Sequence, residues 1–477
     1  MRAIPTLKIS ISGVRGVVGD SLTPAMLARF AEAFGTYIGS GAVVVGRDTR
    51  TSGEMVRQAV HAGLLSSGCR VIDLDICPVP TVQLAVRHTR AHGGIAITAS
   101  HNPAEWNALK FVGTDGLFLD AGQARELLDI YHQGEYVKVA GTEMRGVERM
   151  TNGLDLHIKA ILDAVGPLPA GPRRLRVALD SCNGAGALIA PRLLEALGVD
   201  VVPINITPNG LFPREAEPLP ENLGALCEAV IVNHCDVGFA QDMDADRLAV
   251  VSERGEPIGE EFTLVLATWY VLGREMRSDL FSGQPLENRS ALISAASSRP
   301  VVVANLATTL ALDDLAARFG SRVVRSKIGE ANVTGRMKAE KAIIGGEGNG
   351  GVIYPRINFA RDSQVGMALI LHLLARSGRT VSSLVAELPH YSMVKEKLPC
   401  PSSKIPEVLR AIRADFGHLP IDERDGIKVT LADGWFLVRG SNTEPIIRVV
   451  AEAGSEQVVR RIIDDVFGRV AKIVGAR

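Results

Sequence analysis

The feature that most constrains this chain is a repeated exchange between two periodicities. Short β-branched runs alternate with stretches whose apolar residues recur every three to four positions. GAVVVG is followed by SGEMVRQAVHAGLLSSG and then by CRVIDLDI and GGIAITAS. The cycle returns as RLRVALDS, GAGALIAPRLLEALG and VDVVPIN, and again as RPVVVANL, TLALDDLAARFG and SRVVRSK. A run that is apolar throughout suits a strand buried on both faces, and an amphipathic helix after it can cover one of them. Three such cycles predict α/β units built on mixed, largely parallel sheets. Thr23 and Pro24 supply a capping residue and a first-turn proline ahead of MLARFAEAFGTYIG, which marks a helix start.

After about residue 390 the texture changes. YSMVKEKLPC, GIKVTLADGWFLVRGS and PIIRVVAEAG read as antiparallel strands, and SEQVVRRIIDDVFGRVAKIVG as a long final helix. At 477 residues the chain exceeds what one core can hold. The changes of texture place three similar α/β domains at 1–151, 152–254 and 255–388, and a C-terminal α+β domain at 389–477.

Composition serves to exclude. Charged residues are 22% of the chain and the formal net charge is −1, so no surface-wide field invites nucleic acid or a membrane. The start, MRAIPTLKIS, lacks the apolar centre of a secretory signal. The longest helix-like apolar stretch, around FTLVLATWYVL, falls short of the ~20 residues that cross a bilayer. The six cysteines form no CxxC pair and sit mostly in apolar patterns, as reduced core residues do. The expectation is a cytoplasmic protein whose partner is a small molecule rather than nucleic acid or membrane.

Four segments carry chemistry. In TASHNPAEWNALK, Thr98 to Lys110, a strand ends abruptly in small and polar residues, where ligands bind in open α/β sheets. Ser100 offers a hydroxyl able to carry a phosphate, His101 and Asn102 can hold the loop, and Lys110 can face an anion. The same residue types also make a plain strand-ending turn. In QDMDADRLAVV, Asp242, Asp244 and Asp246 alternate, and extended backbone would aim all three the same way. At an effective dielectric of 20, two such charges 4 Å apart repel by ~4 kcal/mol. An all-oxygen set of this kind suits a hard cation such as Mg²⁺, with Arg247 next in line for a phosphate oxygen. A solvated acidic turn, a weak Ca²⁺ loop, or a phosphatase with an aspartyl nucleophile would use similar residues. In IIGGEGNGG, residues 343 to 351, glycines allow close approach of a ligand, and extended backbone would set Glu347 and Asn349 on one side for adjacent sugar hydroxyls, though any Gly-rich turn uses the same residues. In RGSNTEP, Arg439, Ser441, Asn442 and Thr443 are a phosphate-binding inventory in one short loop, or a capped turn. Three smaller segments add Arg15 in SGVRG, Lys327 in SKIGE, and an expected structural ion pair of Arg47 with Asp48 in GRDTR.

The order SGVRG, TASHNP, DMDADR, GEGNGG, RGSNTEP, spread from residue 12 to residue 445, resembles the α-D-phosphohexomutase superfamily. Its members are phosphoglucomutases, phosphomannomutases, phosphoglucosamine mutases and acetylglucosamine-phosphate mutases. The resemblance implies four domains around a central cleft, each lending one loop. It implies a phosphoserine at Ser100, which with Asp242, Asp244 and Asp246 would hold Mg²⁺. It sets Arg15, Lys110 and Arg247 at the transferring phosphate and leaves His101 and Lys110 as candidate bases. Lys327, Glu347 and Asn349 would meet the sugar, and Arg439, Ser441, Asn442 and Thr443 the other phosphate. The implied activity is that of an isomerase moving a phosphate between hexose O1 and O6, with a hexose 1,6-bisphosphate as intermediate and activator. A non-catalytic sugar-phosphate sensor on the same fold would have lost Ser100 or a carboxylate, and all are kept. Three departures stand out. Met243 and Ala245 replace glycines common in the family's metal loop, Asn349 stands where serine is usual, and Glu330 follows Lys327-Ile328-Gly329. The phosphomannomutase/phosphoglucomutase group tends to carry histidine at that last position and phosphoglucosamine mutases an acid, which leans towards a C2 amino sugar.

Overall fold

The computed structural model describes residues 6–10, 13–275, 299–441 and 445–475. It divides into two compact units, Met1–Gly283 with Asn349–Ser382, and Gln284–Gly348 with Ser383–Arg477.

The first unit holds two sheets. One contains β1 (Lys8–Ser10), β2 (Gly13–Val17), β3 (Ala42–Arg47), β4 (Arg70–Ile76), β5 (Gly93–Ile97), β6 (Trp106–Val112) and β7 (Val147–Arg149), in the order β1-β2-β6-β5-β3-β4-β7. From β5 to β7 the pairings are parallel; from β1 to β5 they are antiparallel. Strand period explains the layers. Val43 and Val45 of β3 pack with Phe30, Phe34, Val56 and Leu64 from the helices Pro24–Tyr37 and Gly53–Ser66. Val44, pointing the other way, joins Val79, Val82 and Val86 of the helix Val79–Thr89. Fully burying each such side chain contributes ~1.5–3 kcal/mol. The predicted cap at the first helix is present: Pro24 opens it and the Thr23 hydroxyl accepts from the Met26 amide at 3.4 Å.

The second sheet of this unit contains β8 (Arg176–Asp180), β9 (Asp200–Ile204), β10 (Val237–Gln241) and β11 (Leu248–Ser252), ordered β11-β10-β8-β9, with only β10–β11 antiparallel. FTLVLATWYVL forms the centre of a helix, Glu261–Glu275, that is almost wholly buried against the helix Ser363–Ser377. Its apolar perimeter is therefore a core feature. Among the described residues no helix is long and apolar enough to cross a membrane.

The second unit begins with a parallel set, β12 (Val301–Asn305), β13 (Arg322–Ser326) and β14 (Ile344–Glu347), ordered β13-β12-β14. The chain then contributes β15 (Gly351–Ile353) and the helix Ser363–Ser377 to the first unit. Returning, it builds the expected α+β part: β16 (Ser392–Pro399), β17 (Ile421–Asp422), β18 (Ile427–Thr430), β19 (Gly434–Gly440) and β20 (Ile446–Ala453), antiparallel throughout in the order β16-β20-β19-β18-β17. Phe436 and Val438 face the helices Ile405–Phe416 and Glu456–Val474, while Trp435 and Leu437 point oppositely and pack with Leu306.

Candidate active site

β5 ends at Ile97, and Thr98-Ala99-Ser100 carries the chain out of the sheet. Ser100 sits at φ 52°, in the left-handed region, which disfavours a non-glycine residue by ~1–2 kcal/mol. Arg50 holds the loop there. Its buried guanidinium donates to the carbonyls of Ser100 (2.7 Å), Asn102 (2.6 Å), Pro103 (2.6 Å) and Trp106 (2.9 Å), while its Nε pairs with Asp48 at 3.1 Å. Five donors fixed in one plane let a single side chain collect all of these. The Ser100 amide donates to the Thr98 hydroxyl at 2.9 Å. The expected Arg47–Asp48 ion pair is replaced by Asp48–Arg50, and Arg47 instead meets Asp75 at 2.9 Å. Neighbouring side chains at a strand end project to opposite sides, so the two charges do not pair, and Arg47 Nη1 reaches only the Asp48 carbonyl, at 3.3 Å.

The three aspartates come together, but by a different route from the expected extended backbone. Residues 243–245 turn between β10 and β11, with Ala245 at φ 55°. The turn brings one oxygen of each of Asp242, Asp244 and Asp246 within 4.8 Å of the others, and all three residues are 0% exposed. Glycine, common here in the family the sequence resembles, would take that φ without strain; alanine needs the turn to be held.

The Ser100 hydroxyl donates to Asp242 Oδ2 at 3.0 Å. Asp242 Oδ1 accepts from the amides of Asp246 and Arg247, each at 3.2 Å. Lys110, buried on β6, places Nζ 2.7 Å from Asp244 Oδ2 and 4.0 Å from Asp246 Oδ2. Arg361 Nη2 lies 2.6 Å from Asp246 Oδ2. Burial, and then the charges of Asp244 and Asp246, raise the Asp242 carboxyl well above the usual carboxylate range. Burial works the same way on Asp244, but the Lys110 charge and hydrogen bond outweigh it and hold that carboxyl low. Asp244 Oδ1 and Asp246 Oδ1 are buried with no hydrogen-bond partner. Buried acceptors with no donor are costly, and two of them in an all-oxygen cluster beside a hydroxyl fit a hard divalent cation.

The remaining sequence-predicted groups of this unit lie close by. Arg247 Nη1 meets Glu217 at 2.6 Å, its Nε lies 3.9 Å from Asp246, and Arg15 donates to Asn102 Oδ1 at 2.6 Å. The Arg247 charge, then burial, hold the His101 imidazole well below its ordinary value, so it is neutral near pH 7, with Nδ1 buried and unpartnered. Arg50 and Arg361 were not singled out from sequence. Arg50 closes the GRDTR segment, and Arg361 immediately precedes Asp362, the N-cap of a helix.

In the second unit, the C-terminal ends of the parallel strands converge, as ligand sites in such sheets do. Glu347, ending β14 and 2% exposed, accepts on Oε1 from Asn305 Nδ2 at 2.9 Å and from the Gly329 amide at 2.8 Å. The Ile328 amide donates to Asp425 Oδ2 at 3.0 Å, and Arg439 Nε approaches Asp425 Oδ1 at 3.4 Å. Asp425, also missed in the sequence, thus joins the Lys327 loop to Arg439. Lys327 is exposed, and Glu330 is buried in the first turn of the helix Glu330–Glu340, where an acid complements the helix dipole. The Ser441 amide donates to the Ile446 carbonyl at 2.9 Å. Asn442 and Thr443 lie outside the described residues. Residues 348–350 turn, so the extended step expected from Glu347 to Asn349 is absent; Asn349, with which the chain re-enters the first unit, has its Oδ1 buried and unpartnered.

Comparison with known proteins matches all four parts of one family. The phosphoglucomutase/phosphomannomutase models for α/β/α domains I, II and III match residues 7–138, 155–255 and 288–391, and its C-terminal domain model matches 394–469. A probable phosphoglucosamine mutase of Methanopyrus kandleri is 36% identical over 473 residues, covering 97% of each chain. A phosphoglucomutase/phosphomannomutase of Thermococcus kodakarensis is 38% identical over 459 residues, covering 95% of this chain and 96% of the relative. The crystal structure of a phosphoglucomutase/phosphomannomutase family protein from Burkholderia thailandensis superposes with a TM-score of 0.81 at 26% identity, covering 98% of both.

Proposed function

Since the chain belongs to the phosphoglucomutase/phosphomannomutase family of α-D-phosphohexomutases, we propose that it interconverts the 6- and 1-phosphates of glucosamine through a phosphate carried on Ser100. The observation that carries this reading is the buried Ser100 hydroxyl, 3.0 Å from Asp242 in a cluster of three carboxylates. Asp242, Asp244 and Asp246, with an oxygen on Ser100, would hold Mg²⁺, which when bound supplies Lewis-acid neutralisation of phosphoryl charge.

The chain's own residues do the rest. In the phosphorylated enzyme the bond from phosphorus to Ser100 Oγ breaks as one forms to a hexose hydroxyl, and the proton that hydroxyl gives up passes through a base to end on the departing Ser100 Oγ. Lys110, Arg15 and Arg247 would spread charge over the equatorial oxygens, a positioning task more than a covalent one. Of the two candidate bases, His101 is the neutral imidazole with an open nitrogen, whereas Lys110 is engaged by Asp244. Lys327, Glu347 and Asn349 take the sugar, and Arg439, Ser441, Asn442 and Thr443 grip the phosphate that stays. The bisphosphate then reverses and returns its other phosphate to Ser100. Four domains at 1–151, 152–254, 255–388 and 389–477 would each lend one loop, in a cytoplasmic enzyme.

Glu330 supports the amino sugar, since an acid three positions after Lys327 can meet a C2 ammonium group. The Methanopyrus relative carries the corresponding name, while the Thermococcus one supports a second reading with glucose and mannose phosphates. Mutase assays across glucose, mannose, glucosamine and N-acetylglucosamine phosphates, with a hexose 1,6-bisphosphate activator, decide between them. Glucosamine phosphate should have the highest kcat/KM, and Glu330→Gln should lower it by about 10-fold, the worth of one charge-assisted hydrogen bond, while sparing glucose phosphate. Preference for mannose or glucose phosphate would favour the second reading.

A further inference from the structure

Away from the groups assigned so far, the first unit buries a chain of three polar side chains. Thr81 and His157 are each 1% exposed, and Asp362 is 2% exposed. The Thr81 hydroxyl lies 2.8 Å from His157 Nδ1, and His157 Nε2 lies 2.7 Å from Asp362 Oδ2. A carboxylate only accepts, so Nε2 carries the proton it donates to Asp362; on a neutral ring Nδ1 then accepts from Thr81. Hydroxyl, imidazole and carboxylate in series are also the inventory of a nucleophilic triad, but at this burial no substrate reaches Thr81.

Its contacts at either end say more. Thr81 lies in the first turn of the helix Val79–Thr89, and the Val79 amide donates to the Asp244 carbonyl at 3.1 Å. Asp362 caps the helix Ser363–Ser377, accepting on Oδ1 from the amides of Gln364 and Val365. On either side of it, Arg361 meets Asp246 at 2.6 Å and the Ser363 hydroxyl lies 2.6 Å from the Ala245 carbonyl. The contacts close into a ring: carboxylate turn, Val79–Thr81, His157, Arg361–Ser363, and back to the turn. Two helix starts hold the turn through these contacts, and His157, on the helix Gly153–Val165, is the strut between them. The turn needs such support because Ala245 holds a left-handed conformation.

We propose that His157, with Thr81 and Asp362, is a positioning device that sets the spacing of Asp242, Asp244 and Asp246 and so tunes their affinity for a divalent cation. The inference rests on the reading of that cluster as a cation site. Groups one layer outside a metal's ligands orient them, and their loss typically weakens binding by ~10–100-fold.

The test uses the full chain, stripped of metal and with Ser100 unphosphorylated, titrated with Mn²⁺ while free Mn²⁺ is counted by electron paramagnetic resonance. Thr81→Val keeps the shape of the side chain and removes only its hydrogen bond; His157→Gln shortens the strut. Each should raise the Mn²⁺ dissociation constant by about 10-fold. The double variant should lose no more than the worse single one, because a ring is broken once. A core variant of the other unit with a matched loss of thermal stability, Val470→Ala, should bind Mn²⁺ as the parent does. If His157→Gln does not fold, Thr81→Val decides alone. A parent chain that binds no Mn²⁺ would overturn the cation reading itself. A parent that binds, with both variants within twofold of it, would overturn the strut.

Discussion

At the scale of single residues, the carboxylates were legible because an Asp-x-Asp-x-Asp run beside an apolar strand has few uses. The manner of their meeting was not. Alternation suggested extended backbone, whereas a turn through left-handed Ala245 gathers them, and no local rule announces a non-glycine residue there. Arg50 was hidden for another reason: its worth lies in carbonyls about fifty positions away, which no window along the chain contains. That role makes a sharp expectation. Lys carries the same charge but presents its donors from one point, so Arg50→Lys cannot serve four carbonyls and Asp48 together. Each buried acceptor left unserved costs ~1–3 kcal/mol, and relaxation should leave a net loss of about 3 kcal/mol. A serine loop displaced by an ångström should lose about 10²-fold in kcat. Melting curves and steady-state rates check both; a variant with the parent's melting temperature and a rate within threefold would contradict the role.

At the scale of elements, period-two and period-3.6 patterns gave the strands and helices, and the change of texture near residue 390 gave the antiparallel sheet. What patterns could not give is neighbourhood. β6 returns antiparallel beside β5 because the serine loop reverses the chain, and that reversal carries Lys110 back to the carboxylates. Lys428 on β18 illustrates the same limit: as one charged residue of GIKVTLADG it reads as a solvated face, yet it is half-buried over the Trp435 ring with its Nζ 2.6 Å from the Leu306 carbonyl. Burial, and then the Arg325 charge, push this ammonium down to about 7. Folding thus disfavours the charged form. Between about pH 7 and the unfolded value near 10.4 the unfolded chain holds the extra proton, so this group makes stability rise with pH across that window. Below about pH 7 both states are protonated and the full penalty applies. Lys428→Met, which keeps the apolar stem, should therefore gain stability over the parent at pH 6, and the gain should shrink as pH approaches 10. Thermal unfolding of both chains at pH 6, 8 and 10 measures it; a gain independent of pH would contradict the burial argument.

At the scale of the whole molecule, four short segments, each about a hundred residues from the next, are explained by one reaction and by little else. Of the groups proposed to serve that reaction, Ser100, the three aspartates, Lys110 and Asn349 fall in one unit, and Glu347, Lys327 and Arg439 in the other. Their order along the chain was legible because each marks a strand end or a hairpin, where side chains can serve a ligand. The links within each unit, such as Asp425 between the Lys327 loop and Arg439, were not, since they join segments about a hundred residues apart. A mutase of this kind requires that Ser100 carry the phosphate in transit. The most direct measurement is to incubate the full chain with a hexose 1,6-bisphosphate labelled in phosphate, map the labelled residue by peptide mass analysis, and then chase with unlabelled hexose 6-phosphate. The label should sit on Ser100 alone and leave with the sugar during the chase, and Ser100→Ala should neither take up label nor turn over. Label on an aspartate, or full mutase activity in Ser100→Ala, would contradict the account.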